Sequence, residues 1–371
     1  MGKGRFFFLT VVVLFLVCGG AAWASVLDDE VMSQHIREAD GTSGQDTNTG
    51  SGIKTNHIQN GAVTSQKLGN NAVTTGKIQN SAITPPKIRA NAIYAAHIAF
   101  YRNVIIVAPV GGDFTSPVDA MNSIVDASET NPYLVKIMPG VYDIGGASVQ
   151  MQPYVDIEGS GENVTKIKGN VGVETAGVVN ASSDAELRLF TVENNGTGEW
   201  SIGIRIQDAA LQMTHVSVEV TGAANDAAGI YNVTFGGQVP ALNDVHIMMS
   251  GGAICYGMYN YSGNMRVSES AILAHCTGAT NFAFFNGNNY SPQLRRSTIS
   301  ASGGTTNYSL WNAGGYPRIE GSIMVGPILP EGGTSYIANT RVSNGVSAGS
   351  GILRCVGAYD NNFYPLGADC L

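Results

Sequence analysis

The stretches Gly229-Ile230-Tyr231-Asn232, Gly257-Met258-Tyr259-Asn260, Ala283-Phe284-Phe285-Asn286 and Ser309-Leu310-Trp311-Asn312 decide the fold. Their asparagines fall 28, 26 and 26 residues apart. A repeat of that length marks an array in which each unit buries its apolar residues against the next, so the chain stacks along one axis.

A second segment recurs between these, at 242–247, 267–272, 294–299 and 319–324. Both segments read as strands. Alternation at period two puts Ile204, Ile230, Met258, Phe284 and Leu310 on one face, and the same parity selects Ile206 followed by the four asparagines. That face is expected to point inward. Two or three strands in each turn of about 26 residues, with abundant Gly and Asn and little helical periodicity, fit an all-β chain wound as a parallel β-helix. The stacked asparagines then read as a hydrogen-bonded amide ladder beside the core, a structural reading preferred here over a catalytic one.

The flanks give a compartment. Lys3 and Arg5 precede an apolar run at 6–17 and the A-x-A signal Ala22-Trp23-Ala24, so residues 1–24 read as a signal peptide and the mature chain as beginning at Ser25. Cys18 follows Val17 where a lipoprotein would carry a small residue, and is taken as part of the signal. No later stretch is long enough to span a membrane. An exported, extracellular or cell-surface protein follows.

Four cysteines remain, Cys255, Cys276, Cys355 and Cys370, an even number that suits disulfides in an exported chain. Their connectivity stays open, although a Cys355–Cys370 bridge would staple the C-terminal end, where an array needs a cap. Metal-type C-x-x-C spacing is absent, which argues against zinc. The formal charge of −8 becomes −10 once Lys3 and Arg5 leave with the signal, which disfavours nucleic acid as a partner. With Gly 47 of 371 residues and 13% charged residues, the surface should be polar, turn-rich and weakly ionic.

Residues 25–52 are polar and read as a flexible segment. From Asn60 a ten-residue repeat runs through Asn70 and Asn80, with traces over 53–100, each decad offering two sizeable apolar residues five apart, such as Val63 and Leu68. That is too little for a core within one chain. The decads resemble repeats of phage tail fibres and bacterial surface proteins, which implies an oligomeric stalk, a homo-trimer among the options; a weakly ordered linker is the competing reading. Residues 101–371 form the β-helix and its C-terminal cap.

The start of the β-helix carries a second resemblance. G-D-F-T-S at 112–116 is similar to the entry segment of pectin methylesterases, and a short capping helix is expected there, with Ser116 as N-cap, Pro117 in the first turn, and Val118, Met121 and Val125 at helical spacing. The match continues through V-K-I-M-P-G-V-Y at 135–142, I-E-G-S-G at 157–161 and F-T-V-E-N at 190–194. It covers about residues 104–194 and implies the single-stranded right-handed parallel β-helix of the pectin-lyase-like superfamily. It does not carry the activity. The esterases' Q-D-T-L, D-F-I-F-G and L-G-R-P-W motifs are not intact here. The nearest equivalents are Asn225-Asp226 and Asn232-Val233-Thr234-Phe235-Gly236, where an amide replaces the nucleophilic carboxylate and the two sites fall within one coil.

Two outward columns remain as candidate sites. Aligning the second segment places His215, Asp244, Glu269 and Arg296 in one column facing solvent. Asp244 and Glu269 on adjacent coils would stand near the carboxyl spacing of retaining glycosidases, about 5 Å, and would also suit a calcium ion or sugar hydroxyls. The plainer reading is an exposed Glu269–Arg296 ion pair. The other column holds Arg205, Tyr231, Tyr259, Phe285 and Trp311, with Gly203, Gly229, Gly257, Ala283 and Ser309 beside it, and reads as an openly accessible aromatic strip. Trp200 lies outside that column. Such a strip could stack on a polysaccharide or surface glycan, pack against other protomers, or lie under a loop. Attachment or glycan binding without turnover is the function expected, against a pectinesterase-like or lyase-like enzyme and a structural fibre component.

Overall fold

The computed structural model describes residues 101 and 103–371, with Val63 and Leu68. The signal peptide, the polar segment and the rest of the decads lie outside the described residues; Val63 and Leu68 are themselves exposed.

The chain winds as a parallel β-helix whose coils have three walls. The first wall stacks Asn103–Val107, Tyr133–Ile137 and Val155–Glu158, and ends on Thr334–Ala338 and Ile352–Val356. The second begins with Gly140–Asp143 and Thr165–Gly169. Together they form a 17-stranded sheet, because Glu186–Asn194, Gln212–Val220 and Ala241–Met249 run around the corner between the two walls. The third wall is a separate 8-stranded sheet that includes Trp200–Gln207, Asp226–Val233, Ile254–Ser262, Thr280–Asn286 and Thr306–Asn312. Each named strand pairs in parallel with its counterpart one coil away.

The corner explains the outward column of the second segment. Leu189, His215, Asp244, Glu269 and Arg296 all adopt left-handed backbone, with φ between 48° and 63°. A left-handed residue reverses the wall's direction within one step, at a cost of about 1–2 kcal/mol for a residue with a Cβ. Gly321 and Asn339 continue the column with residue types that meet little or no such cost. The next residue inward supplies a hydroxyl ladder. Ser270, Ser297, Ser322 and Thr340 are buried, and their oxygens accept in turn from the backbone N–H of Val245, Ser270, Ser297 and Ser322 at 3.1–3.3 Å. The bend therefore leaves these donors satisfied.

Inside, the columns read from the sequence are in place. Ile204, Ile230, Met258, Phe284 and Leu310 are almost fully buried, and Val218, Ile247, Ile272 and Ile299 meet them from the second wall. Asn232 donates to Asn260 at 2.7 Å, Asn260 to Asn286 at 2.8 Å and Asn286 to Asn312 at 3.1 Å. Asn312 passes the ladder on to Ser335 Oγ and the Gly315 and Gly332 carbonyls.

Helix Pro117–Ser123 closes the N-terminal end of the core. Ser116 Oγ accepts from Asp119 N at 3.4 Å, and Ala120 and Met121 are fully buried. The helix stops before Val125, which is exposed; Ile124 enters the core in its place. Both disulfides form, Cys255–Cys276 and Cys355–Cys370. Among the described residues no helix is long and apolar enough to cross a membrane.

Candidate functional site

The outer surface of the third wall carries an apolar cluster separate from the core. Its strands put Arg205, Tyr231, Tyr259, Phe285 and Trp311 in register on successive coils, as the alignment requires. The open access expected for this strip is corrected. Tyr231 and Phe285 are only 5% and 6% accessible, while Tyr259 and Trp311 are half-buried. The reason is the coil spacing, which brings consecutive rings into contact with one another. Tyr231 and Tyr259 stack at 4.9 Å and Tyr259 and Phe285 at 4.6 Å, so both faces of Tyr259 are occupied. Phe285 meets Trp311 edge-on at 4.7 Å. The central rings turn their edges outward.

The small residues are also relocated. A Cβ on Gly203, Gly229 or Gly257 would stand 2.3–2.5 Å from Val218, Ile247 or Ile272, so this column faces the core and is small because the opposite wall's side chains fill that space. Ala283 is fully buried in the same core. Two consecutive residues thus face inward, Gly257 and Met258 for example, and the wall bends there. The bend shifts parity, and a second aromatic column, Tyr256, Phe282 and Tyr308, joins the first on the outer surface. Strict alternation placed these rings on the opposite face; their own recurrence at 26-residue spacing was the signal that would have found them. Trp200 stands outside the first column, in register with Asp226 and Ile254, but its ring packs against the cluster. Its ring meets Tyr231 at 5.4 Å and Tyr259 at 5.9 Å.

Polar groups rim the cluster. Tyr231 Oη donates to Glu174 Oε1 at 2.9 Å, and Trp311 Nε1 donates to Glu331 Oε2 at 2.8 Å. The Arg205 guanidinium lies 5.9 Å from the centre of the Tyr231 ring. Burial pushes the Tyr259 hydroxyl up to about 12, and raises those of Tyr231 and Tyr256 further, so all three remain neutral donors at ordinary pH. Burial, and then the Glu174 carboxylate, also raise the Asp226 carboxyl from its ordinary value.

One end of the second column differs from its middle. Tyr256 and Phe282 stack at 5.4 Å, and Phe282 and Tyr308 at 5.6 Å. The next strand, Ile328–Pro330, starts opposite Leu310, and Gly326, which has no side chain, lies beside the Tyr308 backbone. The ladder of rings therefore stops at Tyr308. A depression of about 470 Å³ opens there, lined by Tyr308 together with Ser302, Thr305, Asn307, Asn344 and Ser347.

The corner column takes up its charges locally. Arg296 donates to Glu269 Oε1 through Nε at 3.1 Å and Nη2 at 2.9 Å, the ion pair foreseen as its plainer reading. Asp244 meets His215 at 3.1 Å and His246 at 3.6 Å. No metal-sized group of three His, Cys, Asp or Glu side chains occurs among the described residues. Asn232, the nearest match to the esterases' nucleophile, is sealed inside the amide ladder. Asp226 and Asn232 lie on one strand, Asp226–Val233.

The chain matches no family model and no curated protein sequence. Among solved structures it is similar to the pectin methylesterase PemA from Erwinia chrysanthemi, at 12% identity over 73% of this chain and 92% of that one, with a TM-score of 0.41. It is also similar to ORF18 of Geobacillus virus E2, at 13% identity over 69% and 60% of the two chains, TM-score 0.44. The A-module of the mannuronan C-5 epimerase AlgE6 from Azotobacter vinelandii follows at 13% identity over 66% and 84%, TM-score 0.30. At these values the likenesses add nothing to the strand register, which establishes the coil by itself.

Proposed function

We propose that the protein is an extracellular attachment or glycan-binding β-helix that holds a polysaccharide or surface glycan without turning it over, at the Tyr308 end of the aromatic wall. The observation that carries this reading is the Tyr308 ring, half-buried at the point where the stack ends and beside a depression lined by hydroxyl and amide side chains together with Ala301, Val325 and Pro327. A pyranose has apolar C–H faces and a polar hydroxyl rim. A free ring face next to short polar groups matches both, whereas the self-stacked rings of the middle coils offer a sugar no face. Two disulfides support an oxidising compartment.

The test is a glycan array probed with the mature chain. Binding to a restricted set of glycans is expected; an array without binding would remove the proposal. Turnover is the competing reading, and Asp226 favours it, because a raised carboxyl on an aromatic face suits a general acid. Methanol or reducing ends released from methylated pectin, and lost in Asp226→Asn, would carry that reading instead. The decads add a further element to the proposal, association into an oligomeric stalk. Light scattering should give the mature chain a multiple of its monomer mass and residues 101–371 a lower state; equal monomeric masses would remove the stalk.

A further inference from the structure

The outward face of the first wall changes character along the axis. Over the early coils its charges are paired: Lys136 with Glu158 at 2.7 Å, and Arg188 with Glu158 at 2.6 Å and Glu186 at 2.5 Å. Gln212 and Ala241 follow in the same register as neutral steps. The column then runs through Arg266, Gln293, Arg318, Tyr336 and Arg354 on five successive coils, all but Gln293 exposed. Among the described residues Arg266, Arg318 and Arg354 have no carboxylate partner, while Arg295 in the adjoining column meets Glu320 at 3.3 Å. The Arg318 guanidinium lies 5.2 Å from the centre of the Tyr336 ring, which leaves its outer edge free to donate.

Gln293, Arg318, Tyr336 and Arg354 line a groove of about 900 Å³ that the Arg295–Glu320 pair, Ala368 and Asp369 also border; Arg266 continues the column one coil beyond it. That end is fixed by Cys355 N donating to Ala368 O at 2.8 Å and by the Cys355–Cys370 disulfide. Glu320 is taken up by Arg295, which leaves Arg318 and Arg354 in the groove, and Arg266 beyond it, without a carboxylate partner in a chain of net charge −8, and such arginines call for an external anion.

We propose that this groove binds a linear anionic polysaccharide, carboxylated or sulfated, laid along the coil axis. This second site is independent of the aromatic wall and selects by charge. Arg266, Arg318 and Arg354 recur every second coil, roughly 10 Å apart, which is the length of a disaccharide in an extended chain. Planar guanidinium groups suit carboxylate and sulfate through paired donors. A single-stranded nucleic acid fits less well, since such binders interleave several stacking aromatics with their basic groups and this groove exposes only Tyr336.

The test measures binding of the mature chain to polygalacturonate, dextran sulfate, uncharged dextran and a single-stranded DNA oligonucleotide. One or both anionic glycans should bind, weakening as salt rises, and dextran should not. Arg318→Ala with Arg354→Ala should lower that affinity about tenfold or more with melting unchanged. Lys136→Ala with Lys168→Ala, the latter paired with Glu193 at 3.2 Å on the second wall of the same early coils, removes the same charge and should leave it within about twofold. Should the first pair melt early, Arg266→Ala with Arg318→Ala takes its place under the same expectation. The proposal fails if neither anionic glycan binds, if both pairs weaken binding equally, or if the oligonucleotide binds more tightly than the glycans.

Discussion

The inner and outer surfaces of the third wall are made by the same strands, yet they obey different rules. On the inside, Asn232, Asn260, Asn286 and Asn312 occupy one column because each amide completes its neighbour's hydrogen bonding and none meets solvent. On the outside, Tyr259, Phe285 and Trp311 occupy a column because the same spacing puts ring against ring. A stacked register multiplies whatever residue it is given. Inside, multiplication leaves no free group, so the column belongs to the fold; outside, it leaves free groups only where the stack ends or the charges go unpaired.

The contrast is broken most severely by filling the inner surface. Gly229→Val would push a Cβ to 2.3 Å from Ile247 Cγ2 and 2.7 Å from the Gly257 carbonyl oxygen. Overpacking at a site with backbone on one side should cost about 3 kcal/mol or more, read as a large fall in the melting temperature. A protein that melts normally with this change would mean that the column does not face the core. Asn286→Ala ranks next. It removes the acceptor of Asn260 and the donor to Asn312, and should cost about 1–3 kcal/mol because buried partners are left incomplete. Chemical denaturation checks this, and a loss no larger than for an exposed Asn would contradict the ladder.

A smaller effect concerns the first wall. Burial alone would raise the Glu158 carboxyl, but hydrogen bonds from Lys136 and Arg188 overcome it and hold it below its ordinary value of 4.5. A carboxylate lowered in the folded state stabilises the fold above that ordinary value, and the contribution disappears as pH falls through the lowered one. Melting temperature should therefore decline on acidification below pH 4.5, by the equivalent of about 1 kcal/mol or less from this group, and Glu158→Gln should flatten the decline. An identical pH profile for the variant would show that the network contributes nothing.

The inward columns were legible because a period of 26 residues repeats both parity and residue type, as in Ile230, Met258, Phe284 and Leu310. The capping helix was legible for the same kind of reason, Ser116 and Pro117 being strong local signals. The bend of the third wall was not. It is made by Gly229, Gly257 and Ala283, whose smallness reads equally well as an open strip or as a space filled by Ile247 and Ile272 from another wall. The left-handed corner escaped because Glu269 and Arg296 are poor advertisements for positive φ, and the better ones, His215, Asp244, Gly321 and Asn339, differ in type from coil to coil. The arginine column was missed because its members lie on different coils, and only strand register brings Arg266, Arg318 and Arg354 together.

Whether the outer surface works where its stack ends is tested most directly by isothermal titration of a glycan found on the array into the wild type, Tyr308→Ala and Tyr259→Ala, with thermal melting of each. Tyr308→Ala should weaken binding by about 1 kcal/mol or more, roughly fivefold, and melt like the wild type. Tyr259→Ala, whose ring is stacked on both faces, should instead melt earlier. Wild-type affinity in Tyr308→Ala would contradict the account, and if that variant also melted early, the aromatic wall would be a packing surface and not a binding site.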